Sequence, residues 1–297
     1  MTESKNPSTP IHLAIIGGSG FYDMPGIENV QELQIKTPYG LPSDLIVSGN
    51  LLNRKIIFLA RHGKKHQLLP SEIPQLANIW ALKSLGVEKI LAVSAVGSLR
   101  ENYKPNDLIV PNQLIDRTTG QRTSTFFGNG VVAHVSMAEP FCNTLRKDII
   151  AAIATAKESS HNDGTYICIE GPSFGTIAES RLYQSWGASL VGMTGLPEAK
   201  LAREAGICYG MLAMVTDYDS WQEGKHPVEA TTIVSVLQSN VKKSQKVILA
   251  LVEALDKQYS CGCKNSLDNA LITNVESLDQ ETKKRLQPLL QNQLGNK

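Results

Sequence analysis

The chain has few of the features that mark membrane, secreted or nucleic-acid-binding proteins. No stretch of its 297 residues approaches the ~18 apolar residues of a membrane span, and the polar segment 1–10 lacks the apolar core of a signal peptide. The formal net charge is only +1 and aromatic residues make up 6% of the chain, so the broad basic surface with interleaved aromatic side chains used by nucleic-acid binders is missing. These absences predict a cytoplasmic protein that binds neither membranes nor nucleic acid.

Cysteine is scarce as well, with five residues. Cys142, Cys168 and Cys208 lie far apart inside hydrophobic runs, where a thiol usually behaves as a small apolar group. Cys261 and Cys263 are the one close pair, but two thiols do not complete a four-coordinate zinc site, and an odd count fits poorly with a secreted disulfide framework. We therefore expect no metal site, and the redox state of the close pair stays open.

Short runs rich in β-branched residues alternate with helical patterns along the chain. The runs predict buried strands at residues 12–16, 55–59, 89–93, 107–110, 166–169 and 209–215. Apolar residues spaced by three or four predict helices at residues 71–85, 143–156, 177–186 and 197–205 and a long amphipathic helix after Val228. Gly86, Gly187 and Gly206 stand where C-terminal caps would lie. The alternation predicts an α/β fold.

The chain contains no internal repeat and no linker rich in proline, glycine or serine. We therefore predict one domain over residues 11–257, preceded by a flexible N-terminus at residues 1–10. Residues 258–297 form a predicted tail that carries Cys261-Gly262-Cys263 and an apolar helix. That helix is predicted from Leu267, Leu271, Ile272, Val275 and Leu278. The tail is expected to make a subunit contact.

Several predicted strands end in residues suited to an anion. Gly17-Gly18-Ser19-Gly20 follows the first strand and can aim backbone N–H groups and a hydroxyl at a phosphate, although neither the dinucleotide pattern nor the P-loop pattern is complete. Arg61, after the strand ending at Ala60, can hold an oxyanion through two N–H bonds, with His62 as a further donor. An ordinary tight turn and a solvated basic turn are the alternatives.

Hydroxyl and small residues follow two more strands, at Ser94–Ser98 and at Met193-Thr194-Gly195. Ligands of open α/β sheets bind at the carboxyl ends of the strands. We therefore expect three or four strand ends to converge on one anion.

A pair of carboxylates ends the last predicted strand, in Thr216-Asp217-Tyr218-Asp219. Alternate residues of an extended strand point to one side, and repulsion between two nearby carboxylates favours a proton on one of them, as a general acid requires. A capping or turn pair is the alternative. Phe174 suits stacking on a planar base, although a lone aromatic residue more often belongs to a core.

Seven motifs stand in the same order as in a known family and span residues 11–257. They are Ile16-Gly17-Gly18-Ser19-Gly20, Leu59-Ala60-Arg61-His62-Gly63, Gly97-Ser98-Leu99-Arg100, Asp116-Arg117-Thr118, Met137-Ala138-Glu139-Pro140-Phe141, Glu170-Gly171-Pro172 and Thr216-Asp217-Tyr218-Asp219. Together they resemble the 5′-methylthioadenosine phosphorylases of the trimeric purine nucleoside phosphorylase family. The resemblance implies a central mixed sheet flanked by helices, inorganic phosphate as co-substrate, no metal or organic cofactor, and a homotrimer or a hexamer of two trimers.

The resemblance also assigns roles to residues. Phosphate contacts fall on Ser19, Arg61, His62, Ser94, Ala95 and Thr194, the ribose contact on Met193, and base contacts on Phe174, Asp217 and Asp219. A protonated Asp217 would donate to N7 of the departing adenine, while Asp219 accepts from the exocyclic amino group. Gly175 stands beside the base, where many members of the family have serine.

The 5′ end of the sugar separates the substrates of the family. Its purine nucleoside phosphorylases place a histidine at the 5′-hydroxyl, whereas this chain has Ala230, followed by Ile233 and Val234, which suits a methylthio group. The family often borrows a histidine from the neighbouring subunit, here His134, and an apolar residue from the tail.

The resemblance thus implies phosphorolysis of S-methyl-5′-thioadenosine to adenine and 5-methylthioribose 1-phosphate, in methionine and purine salvage. One alternative is a phosphorylase of purine nucleosides or of 5′-methylthioinosine. A nonenzymatic nucleoside-binding protein is disfavoured, because Asp217 and Arg61 are both present.

Overall fold

The computed structural model describes residues 11–22, 24–222, 230–255 and 261–294; the segment predicted as a flexible N-terminus lies outside them. The strands in chain order are β1 Ile11–Gly17, β2 Glu28–Leu33, β3 Ile46–Leu51, β4 Arg54–Ala60, β5 Lys89–Ser98, β6 Leu108–Ile109, β7 Gln113–Arg117, β8 Ser160–His161, β9 Thr165–Ile169, β10 Ala188–Gly192 and β11 Cys208–Tyr218. The α-helices are α1 Gln75–Ser84, α2 Asn143–Thr155, α3 Ile177–Ser185, α4 Gly195–Glu204, α5 Ala230–Ala254, α6 Gln280–Leu286 and α7 Gln291–Leu294.

The strands form one mixed sheet, as expected. Its main path runs β2-β3-β4-β1-β5-β10-β9-β7, with β11 paired to β5 and to β6, and β8 paired to β6. The neighbours β4, β1, β5 and β11 run parallel to one another, whereas β10 pairs with the end of β5 in the antiparallel sense. Parallel neighbours bring their carboxyl ends to one edge of the sheet, and this edge is where the predicted anion residues follow β1 and β4 and occupy the second half of β5.

The six predicted strands are present, and five others escaped prediction. Two of those, β2 and β7, lie at the two ends of the main path. An edge strand is covered on fewer sides than a central one, and β2, with the sequence Glu-Asn-Val-Gln-Glu-Leu, is almost wholly exposed. Such a strand has no run of apolar residues, so hydrophobic patterning does not predict it.

The sheet has a hydrophobic core on each face. Along β1 the side chains alternate: Ala14 and Ile16 belong to the core that α1 and α4 cover, while Leu13 and Ile15 belong to the core that α2 and α5 cover. Alternate residues of a strand point to opposite faces, so a strand buried on both faces is apolar throughout. This explains the continuous apolar runs in the sequence.

The five predicted helices are present, with ends shifted by a few residues. Gly86, Gly187 and Gly206, just beyond α1, α3 and α4, have φ of +83°, +79° and +64°, the left-handed conformation expected of C-terminal caps. None of the helices within the described ranges combines the length and the apolar character needed to cross a membrane.

The predicted apolar helix of the tail is wrong. Leu271 forms a β-bridge with Ala133, and Val275 lies in a short 3-10 turn. The helices of this segment come later, and α6 begins after Asp279, whose carboxylate accepts from the backbone N–H of Thr282 at 2.7 Å. Apolar residues spaced by three or four serve here to cover the core from turns rather than from one helical face.

Candidate active site

The carboxyl-end edge of the sheet encloses a cavity of about 430 Å³. The predicted residues that line it are Arg61, His62, Ser94, Ala95, Phe174, Gly175, Met193, Thr194, Asp217 and Asp219, and Gly18 of the first loop joins them. The expected convergence of strand ends is confirmed. The side chains of Ser19, Ala230, Ile233 and Val234 lie outside the described part of the chain, and His134 is not among the described lining residues.

Arg61 is 2% exposed and is held by a buried carboxylate. Its Nε and Nη2 donate to the two oxygens of Glu198 at 2.7 and 2.9 Å. Nη1 donates to the carbonyl of Val93 at 3.2 Å, and Nη2 donates also to the carbonyl of Ile16 at 3.3 Å. These contacts use four of the five N–H bonds of a guanidinium, and the fifth, on Nη1, is left for a ligand.

Burial by itself disfavours the charge of Arg61, but the carboxylate of Glu198 outweighs burial and raises the pKa of the guanidinium above its ordinary value. Glu198 is 0% exposed and also accepts from the hydroxyl of Tyr209 at 2.9 Å. Arg61 is therefore charged at any physiological pH. The pair as a whole is neutral.

His62 lies beside Arg61, and its Nδ1 is 2.8 Å from the carbonyl of Leu68, which can only accept. Burial lowers the pKa of His62 from its ordinary 6.5 to about 4. The ring is thus neutral at pH 7 with its proton on Nδ1, so Nε2 is an acceptor. In this neutral state His62 offers an acceptor rather than a donor at Nε2, and its contact with an anion stays a prediction. Its partner at Nε2 must itself carry a hydrogen.

Two buried hydroxyls meet across the cavity wall. Ser94, within β5, and Thr194, after β10, have their oxygens 3.0 Å apart, and each residue is 6% exposed. The hydroxyl of Tyr166 holds the loop after β10 in place, because it accepts hydrogen bonds from the backbone N–H groups of Thr194 and Gly195 at 3.3 and 3.2 Å. In a hydroxyl pair one hydrogen joins the two oxygens, and the other is available to a ligand.

Asp217 and Asp219 both line the cavity. The β5–β11 register shifts between Val215 and Asp217, so a β-bulge precedes the carboxylates. Asp217 then stands opposite Gly97, where an ideal Cβ would lie 3.3 Å from Asp217 Oδ2 and 3.0 Å from a methyl of Val191. Glycine at this position gives the carboxylate its room.

Burial raises the pKa of Asp217 from 3.8 to about 6, although the hydroxyl of Thr216, which donates to Oδ1 at 2.6 Å, lowers it. Asp219 adds a smaller increase by repulsion. Burial rather than the neighbouring carboxylate is therefore the main cause, which corrects the weight given to repulsion in the sequence argument. A carboxyl with this pKa exchanges its proton near neutral pH.

Asp219 is 5% exposed, and its carboxylate accepts a hydrogen bond from the hydroxyl of Ser180 in α3. Burial raises its pKa as well, and the Ser180 hydrogen bond opposes that increase. A hydroxyl donor favours the ionised form. Both carboxyls therefore have a pKa raised by burial and a hydroxyl partner, so either can carry a proton in this setting.

Phe174, 48% exposed, and Met193 flank the same cavity. Arg122 connects the loops that bear them. Its side chain donates to Glu170 Oε1 at 2.7 Å and to the carbonyl of Met193 at 2.6 Å. The loop 170–175 and the loop after β10 are thereby held at a fixed separation.

Comparison with known proteins agrees with this architecture. The model of a family described as the phosphorylase superfamily matches residues 12–253. The chain belongs to the phosphorylase superfamily. Among its relatives, an S-methyl-5′-thioadenosine phosphorylase of Geobacter sulfurreducens is 47% identical over 274 residues, which cover 92% of this chain and 96% of the relative.

Solved phosphorylases share the fold. A methylthioadenosine phosphorylase from an antarctic soil metagenomic library has a TM-score of 0.91 at 48% identity, covering 95% of this chain and 99% of its own. A mutant adenosine/methylthioadenosine phosphorylase from Schistosoma mansoni, solved in complex with methylthioadenosine, has a TM-score of 0.78 at 36% identity, covering 83% and 93%. The likeness thus extends over most of each chain.

Three polar residues that support the site of this phosphorylase escaped the sequence analysis: Glu198, Arg122 and Ser180. Each lies far along the chain from its partner, so no local spacing marks it. Glu198 and Ser180 are nevertheless charged or polar positions on predicted helices and are 0% exposed. The one feature of the sequence that could have indicated these two residues was a polar residue on the apolar face of a predicted amphipathic helix.

Replacement of Glu198 by Gln is expected to destabilise the phosphorylase by about 3–5 kcal/mol, because it leaves the Arg61 charge buried without a counter-ion. The measurement is the free energy of unfolding in urea. Glu253→Gln, an exposed position of α5, is the matched control. Equal stabilities for the two variants would contradict the role given to the pair.

Asp217 makes stability depend on pH. Since its pKa in the fold, about 6, exceeds its ordinary 3.8, its contribution is fully present below pH ~4 and is lost as the pH rises through ~6. Relative to Asp217→Asn, the wild type is expected to lose about 3 kcal/mol of unfolding free energy between pH 4 and 7. Asp268→Asn, at an exposed position, should track the wild type. A difference between wild type and Asp217→Asn that stays constant with pH would contradict the assignment.

Proposed function

We propose that this phosphorylase cleaves S-methyl-5′-thioadenosine with inorganic phosphate, releasing adenine and 5-methylthioribose 1-phosphate. The activity for which its relatives are named supports this function. The observation that carries it is a single cavity that joins Arg61 and the Ser94–Thr194 hydroxyls to a carboxyl with a pKa of about 6. Adenosine is a second candidate substrate, since the Schistosoma mansoni neighbour is named for both nucleosides.

Phosphate lies between the loop at Gly18 and the hydroxyls of Ser94 and Thr194 in this proposal. The free N–H of Arg61 donates to it, with the Ser94 or Thr194 hydroxyl and the Ser19 and Ala95 positions as further contacts. Because Glu198 neutralises Arg61, the anion is held mainly by directed N–H and O–H donors rather than by excess positive charge. Neutral His62 accepts a hydrogen from monohydrogen phosphate through Nε2.

The nucleoside occupies the rest of the cavity. Phe174 stacks on the purine, Met193 contacts the ribose, and Gly175 leaves room beside the base. As the C1′–N9 bond breaks, its electron pair passes to the purine, and an oxygen of phosphate forms the new bond to C1′. Asp217 gives its proton to N7 at this stage, which neutralises the departing adenine.

Asp219 accepts from the exocyclic amino group in the proposed complex. Its contact with Ser180 favours the anionic, accepting form. A 6-oxopurine would turn a carbonyl oxygen toward this acceptor and leave both unpaired. The carboxylate pair therefore favours adenine as the leaving base.

The 5′-methylthio group is proposed to lie against α5. Leu237 of this helix lines the cavity, and positions 230, 233 and 234 precede it in the sequence by seven, four and three residues, a spacing typical of one helical face. The residues there are Ala, Ile and Val, which offer no partner for a 5′-hydroxyl. Methylthioadenosine is thus favoured over adenosine.

A homotrimer, with His134 of each subunit facing its neighbour's site, is part of the proposal. The backbone N–H of His134 donates to the carbonyl of Ala270 at 2.8 Å, so the tail and the segment that carries His134 lie side by side. Beside it, Val132 and Ile272 are 45% and 68% exposed. The backbone N–H of Ile272 donates to the carbonyl of Val132 at 2.9 Å, and neighbouring exposed apolar residues are typical of subunit interfaces.

A cytoplasmic location, and a reaction that needs no organic cofactor, complete the proposal.

Release of purine from a small nucleoside panel tests the function. We expect adenine from methylthioadenosine only when phosphate is present, with a smaller kcat/KM for adenosine and little reaction with methylthioinosine. Equal rates in phosphate-free buffer would instead identify a hydrolase. A preference for methylthioinosine would overturn the assignment of the base.

The roles of the two carboxylates are separated by a pair of variants. Asp217→Asn is expected to slow single-turnover cleavage of methylthioadenosine by ~10²–10⁴-fold, because the proton donor is lost. Asp219→Asn is expected mainly to raise the KM, because it alters a contact to the amino group. Full activity of Asp217→Asn beside an inactive Asp219→Asn would reverse the roles.

A further inference from the structure

A second cluster of reactive groups lies apart from the catalytic cavity. The Sγ atoms of Cys142, Cys208, Cys261 and Cys263 all lie within 4.8 Å of one another, and those of Cys208 and Cys261 are 3.1 Å apart. All are buried except Cys261, which is partly buried. The premise that the Cys261–Cys263 pair lacks further ligands is therefore wrong, because the fold brings two more thiols to it.

We propose that these four cysteines bind a zinc ion as a tetrathiolate. Zinc takes four thiolates at about 2.3 Å in a tetrahedron, which sets the sulfur atoms about 3.8 Å apart, and the observed cluster needs only small side-chain adjustments to reach this spacing. Binding releases one proton from each thiol and forms four Zn–S bonds. Four protein ligands leave no open position for substrate, so the site is structural rather than catalytic.

The charges around the cluster favour an anionic centre. A zinc tetrathiolate carries a net charge of −2. Nη1 of Arg203 donates to Cys263 Sγ at 3.6 Å. The adjoining cavity of about 500 Å³ is lined by Cys208 and Cys261 together with Lys83, Lys89 and Lys264, while Glu88 is the acidic residue among its described lining. Two disulfides would be neutral and would gain nothing from this excess of positive charge.

The position of Cys142 also favours a thiolate ligand. It is the N-cap residue of α2, where the helix dipole favours a thiolate. Its backbone N–H donates to the carbonyl of Tyr209 at 2.8 Å, next to Cys208 at the start of β11. Two ligands are thus held rigidly by the sheet and α2. The other two arrive from the C-terminal segment.

The metal would join that segment to the core. Cys261 precedes a 3-10 turn, Gly262–Asn265, and the segment continues into the tail that packs on the sheet. None of the four cysteines lines the catalytic cavity as described. Zinc is therefore expected to anchor the tail and raise stability, without a part in the chemical step.

Metal analysis of the full chain, purified without metal-affinity steps, tests the proposal. We expect about one zinc ion per chain in the wild type. The double variant Cys261→Ser/Cys263→Ser should retain almost none. Cys168→Ser, which changes a buried cysteine outside the cluster, is the matched control and should keep its zinc.

Cobalt substitution of the wild-type protein keeps the test decisive if the double variant does not fold. The expected result is the intense absorption of tetrahedral thiolate-bound Co²⁺, together with five titratable thiols after unfolding in chelator without reductant. One titratable thiol would show two disulfides and overturn the proposal. Five thiols without zinc or cobalt binding would overturn it as well.

Discussion

The candidate site depends on one buried ion pair. Arg61, at the end of β4, reaches the carbonyls of β1 and β5 and the carboxylate of Glu198 in α4, which in turn accepts from Tyr209 of β11. One guanidinium therefore contacts β1, β5 and α4 directly, and it is linked to β11 through Glu198 and Tyr209. Because a buried charge requires a partner with matching geometry, this contact holds these elements in one relative position.

The same pair shapes the electrostatics of the cavity. Neutralisation of Arg61 by Glu198 prevents a strong positive field, and the pKa of about 4 keeps His62 uncharged as well. In this setting burial dominates the titration of Asp217 and raises its pKa. The proposed site, which would accept a phosphate and also keep a carboxyl near protonation, needs this balance, since a nearby excess of positive charge would lower the pKa of that carboxyl.

The cysteine cluster beside the other cavity also connects distant elements of the fold. It joins the start of α2, the start of β11 and the C-terminal segment, three places that are far apart in the chain. Its cationic surroundings contrast with the neutral catalytic edge. In the two proposals, one site carries the chemistry and the other anchors the tail, whose exposed Ile272 lies on the proposed subunit surface.

The sequence alone determined the α/β class, six of the eleven strands and the approximate extent of five helices, because apolar runs and cap residues act over a few neighbouring positions. It also predicted that Arg61, Ser94, Thr194, Asp217 and Asp219 meet, since each follows or ends a strand and strand ends share an edge. The exposed edge strand β2 and the turns of the tail were missed, because local periodicity does not report which surface a segment covers.

Only the tertiary structure decided the partners of those residues. Glu198 lies 137 positions from Arg61, Ser180 approaches Asp219 from another helix, and Cys142 and Cys208 meet a pair more than fifty positions further on. The protonation state of His62 and Asp217 follows from burial, which depends on the whole packed core rather than on neighbours in the chain. No regular sequence spacing marks contacts of this kind. Once the sheet and helices have packed, residues that are far apart in the chain can lie next to each other.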